Sequence, residues 1–388
     1  MPWSVFAPAW LARSMLRWCS QDPSRLRSRR VLCHSCVVRH LLVVDSVRNI
    51  MLVDVIGNLR MPIGAPLTAA MRSQVTTAVW SAQGQWTAWS VNSVEMDGIR
   101  EVRLHDEDSD LASVLVESVS AFYLCPSPCG RWLSHLSPGP FGLELAVSNI
   151  ATGAMHVIER GQPMFWSWSS DATQIAVHVE NRVIVTDHDG GSTRLLTDVA
   201  GSFITPRWLA GGSVLFAIDD RIMAAGPDDS LTSLVAGGSM GRFALDDESR
   251  HLAYVDTAGD SAALVVLDLV SLTPTQVTTA PVIAFFWSPD ASRLAILSAA
   301  GDGQVQWLVA EGSNIHHLQP FHPTRTWATS VLPFFEQYTE SHAVWSPDST
   351  SVVAPAVDDQ GGTGALIQTA DSSGHKQWVP DAELAWWA

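Results

Sequence analysis

Four groups of residues in this sequence have types and spacings that could do chemistry. Gly237-Gly238-Ser239-Met240-Gly241 fits G-x-S-x-G, in which a serine held on a strained strand-to-helix turn becomes a nucleophile. Cys33-His34-Ser35-Cys36, with Cys19 and His40 nearby, offers thiolates and imidazoles of the kind that hold zinc. Asp171, Asp247, Asp290 and Asp348 recur at similar places and suggest a carboxylate cluster. The stretch between Trp307 and Trp345 gathers His316, His317, His322 and His342 with Arg325, Trp327, Phe334, Phe335, Glu336, Gln337 and Tyr338. Aromatic rings beside Glu, Gln and Tyr suit a peptide or a small polar ligand.

Each group has a plainer explanation. A nucleophile elbow needs a helix after its serine, but RFALDDESRHLAYV follows here and reads as a new strand pair. Ser239 is therefore expected in a turn, with no catalytic role. A structural zinc site takes two ligand pairs, and only one C-x-x-C exists, overlapping a strand. The histidines match no ligand spacing, so neither metal nor cofactor is expected. Cys125 and Cys129 fall at ordinary repeat positions. The aspartates each follow a strand and a Ser or Pro break, where a carboxylate caps a turn. That leaves the 310–345 stretch as the candidate site. Its alternative is a self-packed loop covering a blade edge.

These groups stand on a repeating element. Phe285 to Leu297, FFWSPDASRLAIL, is an aromatic strand, a Ser-Pro-Asp break and an apolar strand. Trp345-Ser-Pro-Asp348 and Trp168-Ser-Ser-Asp171 copy it, and ALDDESRHLAYV matches with Ala244 in the tryptophan slot. The slots fall at 33, 80, 126, 168, 208, 244, 287, 345 and 387, with intervals of 47, 46, 42, 40, 36, 43, 58 and 42 residues. Strand-rich units of this period predict an all-β fold, a β-propeller of four-stranded blades. Eight intervals predict eight blades, or seven if the short 208–243 unit is incomplete. The isolated strand at Trp386 and Trp387 is expected to pair with Leu41–Ser46 and close the ring, removing exposed edges. Residues 31–388 thus read as one propeller domain with an insertion at about 310–342.

Residues 1–30 differ: basic, rich in Ser and Trp, and a targeting segment, a disordered tail or an upstream extension by composition. They lack the order of a secretory signal, which leaves a cytoplasmic or an organelle location open. Residues 1–40 hold seven Arg and one acid, against a net charge of −16 for all 388 residues. So acidic a body repels phosphate backbones and argues against nucleic acid as a partner. No apolar run is long enough to span a bilayer, and the chain reads as soluble and monomeric.

A tryptophan slot, Ser-Pro-Asp and a short apolar strand resemble TolB-like, WD40-like propeller repeats and the propeller domain of the dipeptidyl peptidase IV family. The match covers about 33–388 and departs at the turn glycine, replaced by Ala291 and Ser349. The resemblance implies a propeller used for binding. The expected function is a non-enzymatic module for a protein or peptide partner, working through one face and the channel mouth. The alternative is a propeller hydrolase or lyase with its site in the insertion. Arg325, Trp327, Phe335, Glu336, Gln337, Tyr338 and His342 are the expected binding residues.

Overall fold

The structure, a computed structural model, describes residues 39–388 except 57–58, 64–74, 82, 93–99, 202–203, 229 and 260. Its strands form eight four-stranded antiparallel sheets, the blades of a propeller. Blades 2 to 7 span residues 75–117, 123–161, 164–197, 207–235, 239–278 and 282–317, and blade 8 spans 322–380. The first strand of each lines a central channel. Blade 1 takes its channel strand from the end of the chain. Leu384–Trp387 pairs with His40–Val44, with Leu41 opposite Trp387 and Val44 opposite Leu384. The 208–243 unit is a full blade, although its channel strand is only Arg207–Trp208. Among the described residues, no helix is long and apolar enough to cross a membrane.

Blade 7 shows why the repeat folds this way. Ala295, Ile296 and Leu297 are fully buried, because this strand lies between two others and between neighbouring blades. At its turn the Ser288 hydroxyl accepts from the Arg293 amide at 2.9 Å. Asp290 accepts from the Ser288 hydroxyl at 2.6 Å and the Ser292 amide at 3.1 Å. Asp171 and Asp348 cap their turns in the same way. The next residue must be left-handed: Gly84 and Gly130 sit at φ +67°, and Ala291 takes φ +57° despite its Cβ.

The slot tryptophans join blades. The Trp345 indole donates to the Phe286 carbonyl of blade 7 at 2.9 Å. Trp287 reaches Ala244 of blade 6 at 3.2 Å, and Trp208 reaches Ser167 of blade 4 at 3.2 Å. In each of the other two pairs the acceptor is the residue just before the preceding blade's slot. The slot of blade 6 is therefore Leu245, one residue later than the sequence alignment placed it. Its turn is capped by Asp246, which accepts from the Arg250 amide at 2.7 Å, and Asp247 is released from that task. Ser239 opens the Ser239–Leu245 strand, and its hydroxyl donates to the Asp220 carbonyl at 2.7 Å, as an inter-blade turn requires. Cys19, Cys33, His34 and Cys36, and with them the zinc question and residues 1–30, lie outside the described residues.

Candidate functional site

The insertion begins inside a strand rather than before one. His322 pairs with Val357 and Pro323 with Ala356, as the channel strand of blade 8 should. Pairing then resumes with Trp345 opposite Val352. Twenty-two residues separate His322 from Trp345 where four separate Val352 from Val357. The surplus leaves the strand and enters the channel. Thr324 caps helix α1 (Arg325–Ser330), accepting from the Trp327 amide at 3.3 Å. A short 3₁₀ turn at Leu332–Phe334 leads into helix α2 (Phe335–Tyr338).

The excursion is a plug, held by channel strands of six other blades. Phe335, 1% exposed, packs edge-on to Phe285 and Phe286 of blade 7 at 5.3 and 5.6 Å. The Arg242 guanidinium of blade 6 lies 4.6 Å from the Phe335 ring centre, and its Nε donates to Glu336 at 2.5 Å. Gln337 meets blade 4 as a strand would: its carboxamide oxygen accepts from the Trp166 amide at 2.7 Å, and its nitrogen donates to the Trp166 carbonyl at 2.9 Å. Tyr123 of blade 3 donates to the Gln337 carbonyl at 2.7 Å. Tyr338 rests edge-on against Tyr123 at 4.9 Å, and the His342 ring lies 4.1 Å from Trp386 of blade 1.

Arg207 of blade 5 fixes the plug's far end. It pairs with Glu340, donates to the Glu336 carbonyl at 2.6 Å, and bonds Thr339. Burial lowers its pKa to about 10, against the pull of Glu336 and other nearby acidic groups. Burial also holds Tyr338 and Cys125 up at about 12 and presses His342 down to about 3. These groups stay un-ionised at neutral pH. Asp247, freed from its turn, has a pKa raised by burial and by Asp246.

The seven expected residues thus separate by environment. Phe335, Glu336, Gln337 and His342 are buried in the channel, and Tyr338 is half-buried beside them. Trp327 is buried under α1, near Trp307 and Phe321, and Arg325 is exposed. The four histidines do not converge: among the described residues, no three His, Cys, Asp or Glu side chains could share a metal ion.

The plug divides the channel into two mouths. At the end where channel strands begin, the upper mouth, lies an open bowl of about 730 Å³. Phe165, Ile204, Ile283, Leu332, Pro333 and Phe334 line it, with the Arg242–Glu336 pair as its charged groups. Phe334 is 47% exposed and edge-on to Phe165 at 6.2 Å. At the lower mouth, where the capped turns lie, is a cavity of about 460 Å³ walled by Trp80, Pro126, Glu340, Ser341, His342 and Trp387, among others. Sequence reasoning missed Arg207, Arg242, Tyr123 and Phe165. A signal existed for two of them: Arg207 opens a channel strand and Arg242 lies in the middle of another, basic residues in a body poor in them.

No protein-family model matches the sequence, and no curated protein matches it. Solved structures do. Dihydro-heme d1 dehydrogenase NirN, in complex with DHE, aligns at a TM-score of 0.60 and 14% identity, over 98% of this chain and 83% of that one. A eukaryotic initiation factor aligns at 0.57 and 13%, over 90% and 98%. A prolyl endopeptidase aligns at 0.55 and 11%, over 81% of this chain and 50% of that one. TolB structures are among the matches as well. At these identities the likeness shows the fold alone, a β-propeller, and the eight blades are counted in this chain's own sheets.

Proposed function

We propose that this propeller is a non-enzymatic binding module that takes an apolar segment of a protein or peptide partner in the bowl of its upper mouth. The observation that carries this is the bowl itself: a concave apolar surface about 730 Å³ in volume, with an exposed aromatic ring at its edge and one ion pair in its wall. Such a lining receives a hydrophobic anchor and orients it by a few polar contacts. Gln337, the Glu336 carbonyl, Thr339 and Glu340 are already bonded to blades and support the bowl from below.

Peptides selected on the immobilised protein test this. They should lose at least tenfold in affinity for the Phe334→Asp variant, while its thermal transition stays within a degree of the parent's. Peptides that bind both proteins equally would remove the bowl from consideration. The enzyme alternative has one feature of its own. The Ser341 hydroxyl lies 2.6 Å from His342 Nδ1 on the wall of the lower cavity. A serine needs a base that can hold its proton, and burial that presses His342 to about 3 opposes this. Esterase, lactonase or glycosidase turnover abolished by Ser341→Ala would decide for catalysis.

A further inference from the structure

Building on that binding function, we infer that the bowl is the inner end of a longer docking surface, an aromatic track climbing blade 3, and that its partner is a basic amphipathic segment of another protein. Phenylalanine marks the track. Ten phenylalanines lie among the described residues, and six of them are buried. The four that are not, Phe122, Phe141, Phe165 and Phe334, all lie at the upper mouth. Phe165 and Phe334 meet in the bowl at 6.2 Å. Phe122, 38% exposed, directly precedes the channel strand of blade 3, Tyr123–Pro126. Phe141, 89% exposed, stands at the tip of that blade's next hairpin. Apolar side chains exposed singly need no partner, but four rings gathered on one rim mark an interaction site.

The hairpin lifts Phe141 above the mouth. Its strands, Trp132–Gly139 and Gly142–Asn149, outlast the channel strand. Tyr123 pairs with Leu136, so Ser137, Pro138 and Gly139 continue past it. Three strand residues add about 10 Å. Pro140 and Gly142 supply the turn's geometry, and nothing in a two-residue turn calls for an aromatic ring between them. The hairpin also adjoins the bowl. Leu143 pairs with Gly161, and Gln162-Pro163 leads from there into Met164–Trp168, the strand that carries Phe165.

Charge gives the partner its sign. On this face the turns between second and third strands, and the links between blades, carry eight exposed acidic residues and no exposed Arg or Lys among the described residues. Glu180 is one of the eight. Its amide donates to the Pro163 carbonyl at 3.1 Å, and its carboxylate stands beside Gly161, so it flanks the track. Arg160, on the same edge of blade 3, is paired with Glu144 at 2.9 Å. Rings interleaved with carboxylates fit apolar anchors flanked by lysine or arginine, which can also lie over the ring faces. The same acidity repels anionic lipid and argues against a membrane as the occupant.

Peptides selected on the immobilised protein, then synthesised, are the probe. They should be enriched in Lys and Arg beside Phe, Leu or Trp. Phe141→Ser should lower their affinity about tenfold and leave the thermal transition unmoved, because the ring is exposed. Glu180→Lys should lower it about threefold, and replacing the peptides' Lys and Arg by Gln should abolish that difference. Peptides sensitive to Phe334→Asp but indifferent to Phe141→Ser and Glu180→Lys would keep the bowl and overturn the track. Peptides without basic residues would overturn the partner's charge. Peptides indifferent to Phe334→Asp would remove the bowl, and the track with it. Phosphatidylcholine vesicles supply the remaining arm: flotation of the parent but not of the Phe141→Ser variant would assign the rings to a lipid surface and overturn the proposal.

Discussion

Replacing Gln337 tests whether the plug belongs to the fold. Its carboxamide both donates to and accepts from the Trp166 backbone, on the channel edge where the blade 4 sheet ends. Gln337→Ala would leave one buried N–H and one buried C=O without partners. Each such group costs roughly 1–3 kcal/mol, so a loss of about 3 kcal/mol is expected after some relaxation. For a domain of this size the unfolding entropy converts that into a fall of about 4 °C in Tm. Gln337→Glu sharpens the test. A protonated carboxyl can donate to the Trp166 carbonyl and accept from its amide, as the parent side chain does. An ionised one places an oxygen lone pair against that carbonyl. The introduced group's folded pKa is thus raised above its unfolded value of about 4.3, so its contribution is complete below that pH and is lost as pH rises through the folded pKa. Urea unfolding from pH 4 to 7 should show the Glu variant near the parent at pH 4. It should then fall behind by up to about 1.4 kcal/mol per pH unit. An Ala variant within 1 °C of the parent, or a Glu variant whose deficit does not change with pH, would show that the plug is not bonded as described.

Three further perturbations probe the scaffold. His342 is neutral in the folded chain down to about pH 3, whereas its unfolded form protonates below 6.5. The unfolded state therefore binds more protons as pH falls, and stability drops from 6.5 toward 3. His342→Gln should recover about 2 kcal/mol of the acid loss between pH 7 and pH 5, read by urea unfolding at both; an unchanged acid loss would mean that water reaches the ring. Ala291→Gly should raise stability by about 0.5–1 kcal/mol in chemical denaturation, because the left-handed turn penalises a Cβ more than glycine's extra unfolded freedom costs. A destabilised Ala291→Gly protein would contradict that φ. Trp345→Phe keeps most of the ring but leaves the Phe286 carbonyl without its donor, for an expected loss of about 1–2 kcal/mol. A neutral effect would remove the tryptophan from any role in joining blades.

The ring was legible because each blade repeats one local solution. A strand, a capped turn and an apolar strand need only neighbours in sequence, and eight copies average out local errors. One copy did mislead. Blade 6 has Leu245 where most others have tryptophan, and the pair Asp246-Asp247 offers two registers of equal local merit. The hydrogen bond from Trp287 in the next blade and the one from the Arg250 amide to Asp246 separate them. The candidate site was legible as a break in period and no further. Nothing in residues 310–345 announces that Gln337 will pair with Trp166, 171 positions away, or that Arg207 will hold Glu340. Those partners are single residues on six separate strands, and only closure of the ring brings them together.

Plugging bears on the proposed binding function, because it sets what a partner would have to displace. A partner seeking backbone pairing along blade 4's channel edge would have to displace Gln337, leaving a carboxamide and two strand groups to find water in a closed channel. Displacing Glu340 would strand Arg207, nearly buried and charged at neutral pH, without its carboxylate. Each exchange costs several kcal/mol before any contact is gained. A ligand is better accommodated where the plug turns unsatisfied apolar surface outward, and it does so at Leu332, Pro333 and Phe334, on the upper mouth. The tightness with which α2 is held below is then what keeps that surface in place. A loosened plug should weaken binding at the bowl even when no bowl residue has changed, so Gln337→Ala should reduce the affinity of a bowl-directed peptide as well as the stability of the ring.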